Sequence, residues 1–224
     1  MPGKKSQFYY LKEIVKKMIE YGFKDIIIHT SFYFKFNNSN YFKDARKKLK
    51  ELVEISKGTQ LHIEYIKLPK YFFSPTGKKF EVINIGDRIK EFIEGYKNIH
   101  ILLDTHNIGG VNNTIKRIKE IGNVPSIHIH DNHNFISINE FKKIVDFGYS
   151  GIIVNEGYKI NNKECSNEEV IKWLILYKSI IERWDKTKIE NTLKKYDLIF
   201  EEEIINSVIT TINKLRQISA GGRI

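Results

Sequence analysis

A chain of 224 residues with 41% apolar and 12% aromatic content is long enough to bury a substantial core and too apolar to be disordered. No apolar run reaches membrane-span length, the opening residues MPGKKSQFYY lack the apolar centre of a secretion signal, and the single cysteine, Cys165, excludes an internal disulfide and a thiolate zinc cluster. The expectation is a soluble, intracellular protein with no membrane partner. Its net charge of +10 suits a polyanion such as nucleic acid, although lysine spread over helix faces gives the same charge without a site.

In chain order, residues 9–21 place Leu11, Ile14, Val15, Met18 and Ile19 on one helical stripe that stops at Gly22. The run 25–32 (DIIIHTSF) then predicts a strand buried on both faces. Residues 41–57 form a second stripe, with Phe42, Ala45, Leu49, Leu52 and Val53, that stops at Gly58; a strand follows at 60–66 (QLHIEYI). The stretch 67–79 (KLPKYFFSPTGKK) predicts a long loop, either a binding lip or a plain connection packed by its own aromatics. Helical spacing returns at 85–96, 114–121 and 137–147, interleaved with strands at 98–104 (NIHILLD), 125–131 (PSIHIHD) and 151–156 (GIIVNE). Ser137 with Glu140 has the spacing of a capping box. Helices are expected at 166–184 and 196–215, a frayed tail at 219–224, and weak extra strands at 6–10 and 197–200.

Strands alternating with helices predict an α/β protein with a parallel sheet, either doubly wound or a barrel, with about five to six clear strands. The expected layout is a single domain: a barrel-like β/α core over residues 1–157, C-terminal helices over 158–218 and a flexible tail.

Nearly every predicted strand ends in a residue able to bind metal. His29 closes the first, His62 and Glu64 lie on the second, and Asp104 and His106 close the third. His128, His130, Asp131 and His133 crowd the fourth, and Glu156 closes the fifth. In parallel α/β folds such ends converge on one rim. Charged groups closing isoleucine-rich strands are costly to bury unless paired or metal-bound. Imidazole and carboxylate without thiolate suit Zn2+, Mn2+ or a similar ion. Taken singly, each such residue is more often a hydrogen-bonded structural group; His62 reads as interior filling and His100, at a strand start, as structural. Alternation puts His128 and His130 on the same face.

The ordered series resembles the xylose isomerase-like barrel superfamily, and within it most closely the endonuclease IV family of apurinic/apyrimidinic endonucleases. IHTSFYFKFN resembles that family's His-x-Ser-Tyr strand, matching His29 to a metal histidine, and HIEYI resembles its Glu-Asn strand end, matching Glu64 to the bridging glutamate. KKFE and ILLDTHN follow in the order of its Phe-Glu and Asp-Thr-Cys-His segments. HIHD resembles its His-Leu-Asn-Asp motif, matching His128 to a ligand, and GYSGIIVNEG its last strand, matching Glu156 to the final glutamate. In this chain Asp104 and His106 stand two apart rather than three, with Asn107 at the position of the family's histidine, and Asp131 and His133 remain of its Asp-x-His pair.

The resemblance implies an incomplete barrel of this type, since family strands before His29 and before the glutamate strand have no counterpart. It implies Zn2+ (or Mn2+) ions, in uncertain number, held by His29, Glu64, Asp104, His106, His128, Asp131, His133 and Glu156, with Glu64 and Glu156 catalytic. It further implies that Phe32 and Tyr33 contact DNA and that the phosphodiester 5′ to an abasic site is cleaved in base excision repair. Two alternatives stand beside this. Glu64, Asp104, His128 and Glu156 are also the set with which sugar isomerases and epimerases of the superfamily hold one divalent ion, the two glutamates exchanging a proton on a small sugar. A non-catalytic nucleic-acid-binding or structural homologue is the third. An open barrel edge would call for a second copy or another partner.

Overall fold

The isoleucine-rich runs form strands because their alternate side chains have two different surfaces to face. A computed structural model describes residues 7–29, 41–65, 71–73, 79–81, 89–199 and 201–221. The chain runs α1 (Gln7–Glu20), β1 (Asp25–His29), α2 (Tyr41–Ser56), β2 (Gln60–Tyr65), β3 (Tyr71–Phe73), β4 (Lys79–Glu81), α3 (Ile89–Ile93) and β5 (Ile99–Asp104). It continues through α4 (Thr105–Ile108), α5 (Val111–Ile121), β6 (Ser126–Ile129), α6 (Ile138–Asp146), β7 (Ile152–Asn155), β8 (Lys159–Ile160) and β9 (Lys163–Glu164). Three helices close it: α7 (Asn167–Ile181), α8 (Lys186–Lys195) and α9 (Glu202–Gly221).

Five strands form one parallel sheet in the order β1-β2-β5-β6-β7. Each new strand of this sheet is laid beside the one before it, so the winding runs in one direction. That is the winding of a barrel; a doubly wound sheet reverses direction at its centre. The fold is α/β, a curled parallel half-barrel consistent with an incomplete (β/α) barrel. The small antiparallel pair β3–β4 lies between β2 and α3, and β8–β9 lies between β7 and α7. Among the described residues no helix is long and apolar enough to cross a membrane.

Alternation divides the residues of every strand between two faces. Ile26, Ile28, Leu61, Ile63, Ile99, Ile101, Leu103, Ile127 and Ile129 are all buried on the face that the helices cover. Two apolar clusters fill that space. One joins β1, β2 and the start of β5 to Val15 of α1, Leu49 and Leu52 of α2 and Phe92 of α3. The other joins the end of β5 and β6 to Phe141 of α6, Leu176 and Ile180 of α7, and Val208 and Ile212 of α9. The register pairs His29 with Glu64, Glu64 with Leu102, and Asp104 with His128. The opposite, concave face therefore carries the polar residues.

Several sequence expectations change. Residues 7–10 of the weak strand at 6–10 are the first turns of α1, because the helical stripe extends back to Phe8, which is buried. The loop expected at 67–79 contains β3 and the first residue of β4, which pair as an antiparallel hairpin. The helix expected at 85–96 spans Ile89–Ile93 among the described residues. The helix expected at 196–215 begins only at Glu202, after α8. There Asp197 sits in the left-handed region (φ 53°), which ends α8 and rules out a strand at this point, while Phe200 lies outside the described residues. α8 escaped the reading because its ten residues carry one apolar pair, Ile189 and Leu193, both buried; its visible signal is the cap formed by Asp185, whose carboxylate accepts from Lys188 N. α9 runs to Gly221, into the segment read as tail. Ser137 accepts from Glu140 N, and the complete reciprocal capping box is at Ser166 and Glu169.

Candidate metal centre

Alternation and register together decide which side chains meet at the C-terminal rim of the concave face. His29 and Glu64 are neighbours on one rung, His29 Nε2 lying 3.6 Å from Glu64 Oε2. Asp104 and His128 are neighbours on the next pair of strands, and Glu156 follows β7. Glu64, Asp104 and His128 each offer a ligand atom, all within 4.8 Å of one another, and Asp104, His130 and Glu156 do the same. His128 Nδ1 lies 2.9 Å from Glu156 Oε1.

The chemistry of His128 tests whether a cation fits. The ring is 2% exposed, yet neither nitrogen has a hydrogen-bond partner among the described residues. His128 Nδ1 and Glu156 Oε1 are in close polar contact without being counted a hydrogen-bonded pair. A buried imidazole left this way loses water contacts without replacement. Two donor atoms about 3 Å apart and not hydrogen-bonded are arranged as two ligands of one ion are, given metal–ligand distances of about 2.0–2.2 Å. The residues present fit a divalent cation.

The surrounding groups hold the carboxylates. Asp104 caps α4, Oδ1 accepting from Asn107 N at 2.8 Å, and Oδ2 accepts from His130 Nε2 at 2.8 Å. Burial pushes the Asp104 carboxyl up, but these hydrogen bonds outweigh it and hold its pKa below the usual value. Glu156 is likewise held low, chiefly by the His128 ring against the cost of partial burial. Glu64 goes the other way: burial, reinforced by the Asp104 charge, pushes its pKa up to about 7 from 4.5. Asn107 Nδ2 donates to Glu64 Oε1 at 3.0 Å.

The raised Glu64 sets a pH dependence. Between pH 4.5 and 7 the folded protein keeps a proton on Glu64 that the unfolded chain has lost, so this group's contribution to stability falls as pH rises through that window and is level above it. In chelator, Glu64→Gln is expected to remove that slope and to stabilise the protein at pH 8 by up to about 3 kcal/mol. Urea titrations of both proteins at pH 5 and pH 8 measure it; equal slopes would refute the assignment.

The other predicted ligands stand apart from this group. His106 is exposed; its Nδ1 accepts from Asn132 N at 3.1 Å and lies 3.6 Å from Asp131 Oδ1, and Asp131 is itself exposed. His133 is exposed and stacks on His130, ring centroids 5.0 Å apart and nearly parallel. Phe32 and Tyr33 lie outside the described residues. Three residues missing from the ligand reading matter to the geometry: Asn107, His130 and Thr105. Thr105 Oγ1 donates to His130 O at 2.7 Å and accepts from His130 N at 2.9 Å, fastening β5 to the end of β6. A Thr directly after a strand-closing Asp was the available signal. Gly157 allows Glu156 its place, since a Cβ there would stand 2.9 Å from Phe135 N.

At the other end of the concave face His62 is buried, with Nδ1 2.9 Å from Ser126 Oγ and Nε2 3.0 Å from Asp25 Oδ1. Ser126 is 3% exposed, which keeps its hydroxyl from any substrate, so this Ser-His-Asp chain is structural. His100 is structural too, bonded through Nε2 to Gln60 Oε1 at 2.6 Å.

No protein-family model matches the sequence, and no curated protein matches it. Among solved structures the chain is similar to a D-psicose 3-epimerase determined in the presence of D-fructose, with a TM-score of 0.46 and 11% identity over 66% of this chain. The chain spans about half the length of that enzyme, covering 55% of it.

Proposed function

We propose that this rim binds one divalent cation through Glu64, Asp104, His128 and Glu156, and that the protein is an isomerase or epimerase moving a proton at the carbon beside a carbonyl in a small polyhydroxy compound. The observation that carries the reading is His128, buried without a hydrogen-bond partner among the described residues and within reach of three carboxylates. Those four residues make a single-ion set of two glutamates, an aspartate and a histidine, whereas His106, Asp131 and His133 stand off it.

A bound Zn2+ or Mn2+ ion would polarise the substrate carbonyl and acidify the adjacent C–H. Glu156 is the more open carboxylate, 39% exposed at its side chain, and as an anion it is the one placed to take the proton from carbon. Glu64 flanks the Asp104–His128 pair on the other side, oriented by Asn107, and is the carboxylate placed to return a proton to carbon.

Aldoses and ketoses incubated with the Zn2+- or Mn2+-loaded protein in D2O are expected to gain deuterium at the carbon beside the carbonyl, read by NMR, and Glu156→Gln is expected to lose this activity by roughly 1,000-fold. A loaded protein that exchanges none of the sugars sinks the reading. The second reading, hydrolysis 5′ to abasic sites in DNA, is favoured by the +10 charge and by His29, an imidazole beside Glu64 that a single-ion set does not need. Nicking of a duplex carrying one abasic site would favour it.

A further inference from the structure

By distance alone His130 counts as a ligand, its Nε2 standing 2.8 Å from Asp104 Oδ2 and 3.7 Å from Glu156 Oε2. Its hydrogen bonds argue otherwise. The backbone N–H of His133 donates to His130 Nδ1 at 2.9 Å, so that nitrogen carries a lone pair and no proton. In the neutral ring the proton must then sit on Nε2, which donates it to Asp104. A metal at Nε2 would demand either a doubly deprotonated ring or the loss of the His133 bond.

The turn that delivers this N–H is held against its own backbone preference. Asn132 and His133 both have left-handed backbones, φ 45° and 64°, a conformation uncommon for residues other than glycine. Asp131 and Asn134 bond each other's backbones, N to O, at 3.0 and 2.8 Å. Asn134 Nδ2 donates to Asn162 Oδ1 at 2.9 Å, and Asn162 N donates back to Asn134 Oδ1 at 2.8 Å. Tyr158 N and Lys159 N both donate to His133 O. The β8–β9 hairpin thus braces the turn, and the stacked ring of His133 fixes the plane of His130.

We propose that His130 is a positioning residue, locked by the braced turn 131–134 as the Nε2–H tautomer, which holds the Asp104 carboxylate in the orientation that binds the cation. The inference rests on the metal reading given above. Asp104 keeps a lone pair on each oxygen after accepting from Asn107 and His130, so it can take the ion while held. His133, which the sequence suggests as a ligand, acts here through its backbone N–H and ring face.

Long-range 1H–15N spectra of the wild-type protein test this without any variant: His130 is expected to show a bare Nδ1 and a protonated Nε2 both in chelator and with Zn2+ bound, while the His128 resonances move on loading. Calorimetric Zn2+ titration is expected to show affinity falling roughly ten- to hundredfold in His130→Leu, with His130→Gln near wild type because its amide N–H reaches Asp104. Loss of the Nε2 proton on loading would make His130 a ligand and overturn the proposal. So would a leucine variant that binds like wild type, or a glutamine variant as weak as the leucine one. A wild-type protein that takes up no Zn2+ defeats the metal reading itself; a protonated Nδ1 in chelator defeats the tautomer lock independently of metal.

Discussion

His128→Ala is expected to weaken Zn2+ or Mn2+ binding by at least about 100-fold, beyond the roughly ten- to hundredfold typical of groups that only orient a ligand. The same substitution should cost the metal-free fold little, within about 1–2 kcal/mol. Truncation removes a desolvated polar ring whose nitrogens hold no hydrogen bonds among the described residues, against which stand the cavity it leaves and the loss of the contact that holds Glu156 low. His62→Ala is the contrast. That ring is equally buried, but both nitrogens are bonded, to Ser126 and Asp25, and removing it strands the buried Ser126 hydroxyl. It is expected to cost roughly 2–4 kcal/mol and to leave metal affinity within about threefold of wild type. Calorimetric metal titration and urea unfolding in chelator, run on both variants, separate the roles; the reverse pattern would mean that the wrong histidine has been placed at the rim.

Phe141→Ala is expected to have the largest effect on stability, about 3–5 kcal/mol, a large part of the roughly 5–15 kcal/mol available to a domain. Phe141 is fully buried on α6 and stacks on Tyr177 at 4.3 Å, and the Tyr177 hydroxyl donates to Ile136 O at 2.6 Å. Burial pushes the Tyr177 phenol far above its usual value, so it remains a donor at any working pH. The ring therefore supports both α7 and the segment entering α6. A loss under about 1 kcal/mol in urea titration would contradict this packing.

The sheet was legible because isoleucine runs of strand length bounded by polar residues suit a parallel sheet, and all five such runs supply strands of it, with Ile27 and Ile152 left exposed on the edge strands. Their polar ends were equally legible, because period-two alternation assigns Glu64, Asp104 and His128 to one face once the strands are accepted. The difference between His128 and His130 was not. They stand two residues apart, one on β6 and one just past its end, and a bond to Asp104 with a backbone N–H delivered by a left-handed turn separates a locked ring from an unbonded one. No sequence pattern marks that donor. The two-residue strands β8 and β9 that brace the turn are too short for periodicity to register. Asn107 was visible as a departure at a histidine position, but its contact with Glu64 depends on the short α4 turning back over the rim.

The two apolar clusters meet along β5, Ile99 belonging to one and Ile101 to the other. Glu64 is carried by a strand of the first cluster and Asp104, His128 and Glu156 by or just beyond strands of the second. A cation shared across that seam would act as a rivet through two plates: neither plate could peel away without surrendering charged ligands to a broken coordination shell. Loading would then couple the melting of the two halves more tightly than the β2–β5 ladder and their apolar contacts do alone. With a cation in that place, the mechanical cohesion of the sheet and the assembly of its chemistry would be the same event.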